Sequence, residues 1–155
     1  MKDHADHKTK GSYGALGFEM VAHFVIMYLV MYTMIATLDH FYLNINNLYM
    51  TLMMVTPMAL IMLVSMGSMF PSRSLNIAIA GVAIIVFVAS FAAMRTQAAV
   101  GDEEFLRSMI PHHSGAILMC EEASITDPEI VALCGEIVKA QREEIAQMNA
   151  ILARY

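Results

Sequence analysis

Thr126-Asp127-Pro128-Glu129 fixes how the last third of this chain folds. An acceptor side chain, a proline at the first helical position and an acid after it form a helix-start signal. The aspartate accepts from free amides, the proline lacks an N–H that would have no partner, and the glutamate complements the positive helix end. From Pro128 to about Arg154 the apolar residues Ile130, Leu133, Ile137, Ile145, Met148 and Leu152 keep helical spacing. Upstream, Asp102 is placed to cap a short helix beginning Glu103-Glu104-Phe105. Pro111 either breaks that helix or restarts a second one as its first residue. The two stretches predict an α-hairpin turning near Asp127.

Counting away from Asp127 in both directions gives the register of the hairpin. Cys120 and Cys134 come level, as do His113 and Gln141, Ile110 and Glu144, and Leu106 and Met148. The second helix therefore brings Gln141, Glu144 and Met148 to the height of Met109-Ile110-Pro111-His112-His113, the one place where two histidines are adjacent. Imidazole and thioether together suit copper. If Pro111 opens a helix, His112 and His113 fall in its first turn, where the positive helix end disfavours imidazolium and leaves nitrogens free for metal. The plainer alternative has His112 capping or hydrogen-bonding within the hairpin, with Met109 and Met119 as ordinary core. Cys120 and Cys134 have three readings: a disulfide in an oxidising compartment, buried thiols, or soft ligands with Cys120 on the face of His113. Without a Cys-x-x-Cys, a zinc ribbon and a thioredoxin-like motif are excluded.

The pattern Phe105…Met109-Ile110-Pro111-His112-His113…Ala116…Met119…Ala123, then Asp127-Pro128…Ile137…Gln141…Glu144-Ile145…Met148, resembles the bacterial domain of unknown function 305 family. The match covers roughly residues 102–152. The resemblance implies a ferritin-like helical bundle, often periplasmic, with members linked to copper binding and copper tolerance. Carried over position by position, it makes His112, His113, Met109, Met119 and Met148 candidate ligands, with Gln141 and Glu144 added by the register. Copper, as Cu(I) or Cu(II), is the expected cofactor. Larger members contain two such hairpins, whereas this chain has one.

Before the hairpin the chain reads as membrane. Of 155 residues, 58% are hydrophobic and 15% charged, where a soluble domain carries about a quarter charged. Apolar runs at 17–38, 48–70 and 75–94 each reach the roughly 20 residues a bilayer crossing needs. A short polar connection, 39–47, joins the first two, and Pro71-Ser72-Arg73-Ser74 joins the second and third as a tight antiparallel pair. The first run is too long for a signal-peptide core and has no Ala-x-Ala site, so it reads as an anchor. Lys2, Lys8 and Lys10 in the tail, with Arg73, place the N-terminus inside; Arg95 alone dissents. The expected organisation is a cytoplasmic tail over 1–16, a three-helix membrane region over 17–94 and a periplasmic α-hairpin domain over 95–155, in a bacterial inner membrane. The fold class is all-α. About 50 residues in two amphipathic helices cannot bury both apolar faces alone, so the hairpin is expected to dimerise into a four-helix bundle.

Polar residues inside the spans are further candidates. Glu19 and His23 share a helix face, and an ionisable residue at depth is a functional hypothesis by default. Met27, Met31 and Met34 continue that stripe. Met50, Met54, Met58, Met62 and Met66, with Met53 and Met69 beside them, wind along the second helix. Such a band either hands on Cu(I) or Ag(I), or simply packs at helix contacts. Pro57 is expected to kink that helix. In the tail, His4 and His7 would share a metal only if it became helical; it reads as disordered.

The net charge of −5 argues against nucleic acid. An enzyme is not expected: there is no nucleophile–base pair, no cofactor fingerprint and no Glu-x-x-His. The leading expectation is a membrane-anchored periplasmic copper-binding protein acting as buffer, sensor or chaperone. Its expected partners are the lipid bilayer, copies of itself and copper-handling proteins. The alternatives are a soft-metal transporter or accessory using His23 and the methionine band, and a structural assembly module without metal.

Overall fold

Helix is the only regular structure among the described residues of the computed structural model, which describes the backbone from residue 2 and side chains from Tyr13 onward. Five α-helices follow one another: α1 (Lys2–Val30), α2 (Ile45–Ser65), α3 (Arg73–Thr96), α4 (Asp102–Glu122) and α5 (Pro128–Leu152). They divide into two compact units. One holds residues up to 30 and 48–98; the other holds 31–47 and 99–155. The tail that reads as disordered forms the first turns of α1, and the side chains of His4 and His7 lie outside the described ones.

In the first unit, three helices are long and apolar enough to cross a membrane, with mean hydropathies of 1.5, 1.9 and 2.7. No more than 22% of any of these apolar stretches is buried within the chain, so most of the apolar surface faces outward. The small core is Leu16, Leu63 and Phe70, flanked by Tyr13, Met20, Met62, Ile79 and Ala80. Tyr13 ties one end together. Its hydroxyl donates to Asn76 Oδ1 at 2.6 Å and accepts from the Ser72 N–H at 3.2 Å, and its ring lies 5.2 Å from that of Phe70. The turn joining α2 to α3 thus lies against α1 at Tyr13, where its apolar stretch begins.

The first apolar run does not stay helical to Leu38. The helix ends at Val30, and α2 begins at Ile45. Between them the chain folds as a strap of the second unit. Tyr32 is 5% exposed, its ring 4.4 Å from that of Phe41, and its hydroxyl accepts from Asn44 Nδ2. Burial of these groups outweighs helix continuation, which hydropathy alone would favour.

The second unit is the antiparallel pair α4–α5 with the strap across it. Leu106, Ile110 and Ile117 pack against Ile145 and Met148, with Ala36 and Tyr42 of the strap on the same core. Asp127 caps α5 as expected, accepting from the amides of Glu129 and Ile130 at 2.8 and 3.3 Å, with Pro128 leading the helix. The start of α4 differs: Gly101 is the cap residue, and Asp102 is the first helical residue, accepting from the Tyr155 hydroxyl. Pro111 neither breaks nor restarts α4, which runs through it. An interior proline costs about 3 kcal/mol, but Leu106, Ile110, Ser114 and Ile117 form one buried stripe across it. A break would put that stripe out of phase, so packing prevails.

Candidate functional site

Because α4 is continuous, His112 and His113 sit in its middle rather than in a first turn, and the helix-end electrostatics expected for them do not apply. Adjacent helical residues point about 100° apart, so the two rings diverge. Their centroids are 6.2 Å apart, with His112 exposed and His113 turned towards α5. The His113 ring is held at both nitrogens. Its Nδ1–H donates to the Met109 carbonyl at 2.9 Å, and its Nε2 lies 2.9 Å from Glu144 Oε2. Gln141 Nε2 donates to the same carboxylate oxygen at 3.4 Å. The expected convergence of His113, Gln141 and Glu144 is therefore present, with His113 reaching one turn further along α5 than the count from Asp127 gives.

Both ring nitrogens face oxygen acceptors. That arrangement is satisfied by the doubly protonated ring, or by a cation bound jointly by Nε2 and the carboxylate. A backbone carbonyl on Nδ1 is the support that fixes the tautomer of a metal-ligating histidine. A closed site, however, takes about four donors. Among the described residues no group of three or more His, Cys, Asp or Glu side chains is placed to hold a metal ion.

The other predicted ligands are dispersed. Met148 is 9% exposed and belongs to the hairpin core, with Met109 packed on its edge. Met119 is 61% exposed on another face of α4. Cys120 and Cys134 form a disulfide with Cα atoms 5.3 Å apart. The register counted from Asp127 is correct there, and in this state neither sulfur offers a thiolate to a metal. Within the spans, His23 Nδ1–H donates to the backbone carbonyl of Glu19 at 2.8 Å, not to its carboxylate. The buried stripe of α2 is Thr51, Val55, Ala59 and Leu63. The methionine band runs beside it, with Met50, Met54 and Met66 exposed.

Sequence reasoning missed His40 and Ser114. Ser114 is fully buried; its Oγ accepts from the Ala36 N–H at 2.7 Å and lies 2.8 Å from His40 Nδ1, to which it can donate. Removal from water pushes the His40 pKa down, partly opposed by the charge of Asp39. The available signal was a serine in the apolar stripe of α4, since a buried hydroxyl requires a partner. Tyr42 and Ile45 add further ties. The Tyr42 hydroxyl donates to Asn149 Oδ1, and the Ile45 N–H at the start of α2 donates to Glu104 Oε2. The strap thus docks on α4 at Ser114, the residue that follows His113 in the chain.

A family model described as domain of unknown function (DUF305) matches residues 64–152. That range takes in α3 as well as the hairpin. The chain is also 35% identical over 136 residues to an uncharacterized protein of Acanthamoeba polyphaga mimivirus, covering 86% of this chain and 88% of that one. No solved structure matches.

Proposed function

This chain belongs to the DUF305 family, and we propose that it is a membrane-anchored metal-binding protein whose hairpin unit binds copper on the non-cytosolic side. The observation that carries this reading is His113, supported through Nδ1 by a carbonyl and presenting Nε2 to Glu144 at 2.9 Å. The charge distribution agrees. The unit of 31–47 and 99–155 carries four Lys or Arg against eleven Asp or Glu, a formal −7 that attracts cations. The unit of the spans carries five against three, a formal +2.

The Cys120–Cys134 disulfide favours an oxidising compartment for the hairpin, and the basic tail with Arg73 favours the opposite side for the other end. The donors present, one imidazole and one carboxylate beside an amide, suit Cu(II) better than Cu(I), because the thioethers of Met109 and Met148 are committed to the core. Two firm donors make half a site. A second copy packed as a four-helix bundle would supply the others.

Titration of the purified full chain with Cu(II), followed by electron paramagnetic resonance, tests the reading. His113→Ala and Glu144→Gln should each weaken binding by about tenfold or more. Unchanged affinity and stoichiometry in both variants would leave His113–Glu144 as an interhelical ion pair only, and the reading would fail.

A further inference from the structure

We propose that the groove between α2 and α3 holds one anionic phospholipid, with an acyl chain along the helices and the phosphate on Arg73. The groove encloses about 470 Å³ and is walled mainly by apolar side chains, among them Leu60, Val64, Ile77 and Ala80. At its rim stand Arg73 and Asn76. Asn76 is already engaged, donating to the Phe70 carbonyl and accepting from Tyr13. Arg73 is exposed, and among the described residues no carboxylate pairs with it. An unpaired guanidinium at the mouth of an apolar groove matches a molecule with an anionic head and a hydrocarbon tail.

Guanidinium also binds phosphate oxygens bidentately, which an ammonium does not. The unit's own acids are Asp3, Asp6 and Glu19, and none occurs from residue 48 to 98. These features commit the groove to a lipid rather than to a second copy of this apolar, cationic unit.

The inference rests on the membrane-spanning reading of α1–α3, which carbonate extraction of membranes tests separately. The full chain in detergent is mixed with equal amounts of phosphatidylglycerol and phosphatidylcholine, and bound lipid is counted by native mass spectrometry. Wild type should prefer phosphatidylglycerol by about fivefold, the ratio that about 1 kcal/mol per cation gives. Arg73→Gln should lose that preference while Arg95→Gln keeps it. Ile77→Trp, at an exposed groove position, should lower occupancy with Arg73 intact. Glycerol 3-phosphate, which carries the head without chains, should not displace the lipid. No preference in wild type, a preference that survives Arg73→Gln, or displacement by glycerol 3-phosphate would each overturn the proposal.

Discussion

His40 and Ser114 make one hydroxyl answer for two demands. The buried Oγ accepts a strap amide and has its hydrogen left for the imidazole, which can accept it only while Nδ1 is unprotonated. Burial holds the folded-state pKa of His40 below the ordinary value of about 6.5. Above that value both folded and unfolded chains carry a neutral ring, and the contact is fully present. As the pH falls through 6.5 towards the lower folded value, the unfolded chain takes up a proton first and stability declines. The protection factor of the Ala36 amide, its hydrogen exchange measured against the intrinsic rate at each pH, should therefore fall between pH 7 and 5. His40→Gln should flatten that dependence; the same pH response in the variant would refute it. Nothing local in the sequence announces this pair. Its members lie 74 residues apart, and a serine between Ile110 and Ile117 is legible only as a polar group in need of a partner.

The helices show which sequence signals are self-sufficient. Asp127-Pro128 caps and starts α5 by itself because all its partners lie within three residues. The same turn fixes the register that brings Cys120 level with Cys134. Proline is different: Pro111 is a breaker by local rules, yet the buried stripe on either side keeps α4 whole. The end of α1 is likewise set by what Tyr32 touches, not by hydropathy. The disulfide closes a short loop around the hairpin turn, and loss of a loop of this size costs about 3 kcal/mol in the chain-entropy account. Cys120→Ser/Cys134→Ser should lower the hairpin unit's unfolding midpoint in urea, and reductant should do the same to wild type but not to the variant. If the disulfide were idle, wild-type unfolding would be indifferent to reductant.

For the molecule as a whole, a lone hairpin is too small to be self-sufficient, and the strap meets part of that need by covering Ile110 and Ser114. The turn end remains bare. Ile130, Val131 and Leu133 on α5 are each about half exposed, and Met119 on α4 more so. We expect a homodimer or larger assembly by mass in detergent, and Val131→Lys/Leu133→Lys should shift it towards the monomer. A wild type that is strictly monomeric would exclude the shared copper site along with the assembly. The strap also orders events in time. Residues 31–47 leave the ribosome before α2 and α3, whereas their partners Ser114 and Asn149 come 78 and 107 residues after Ala36 and Tyr42. The unit that carries His113 is thus written in two instalments with two apolar helices between them. Its strap waits for a hairpin that exists only once α5 has been made, so a protein stalled or truncated before α5 presents a strap without its full complement of partners.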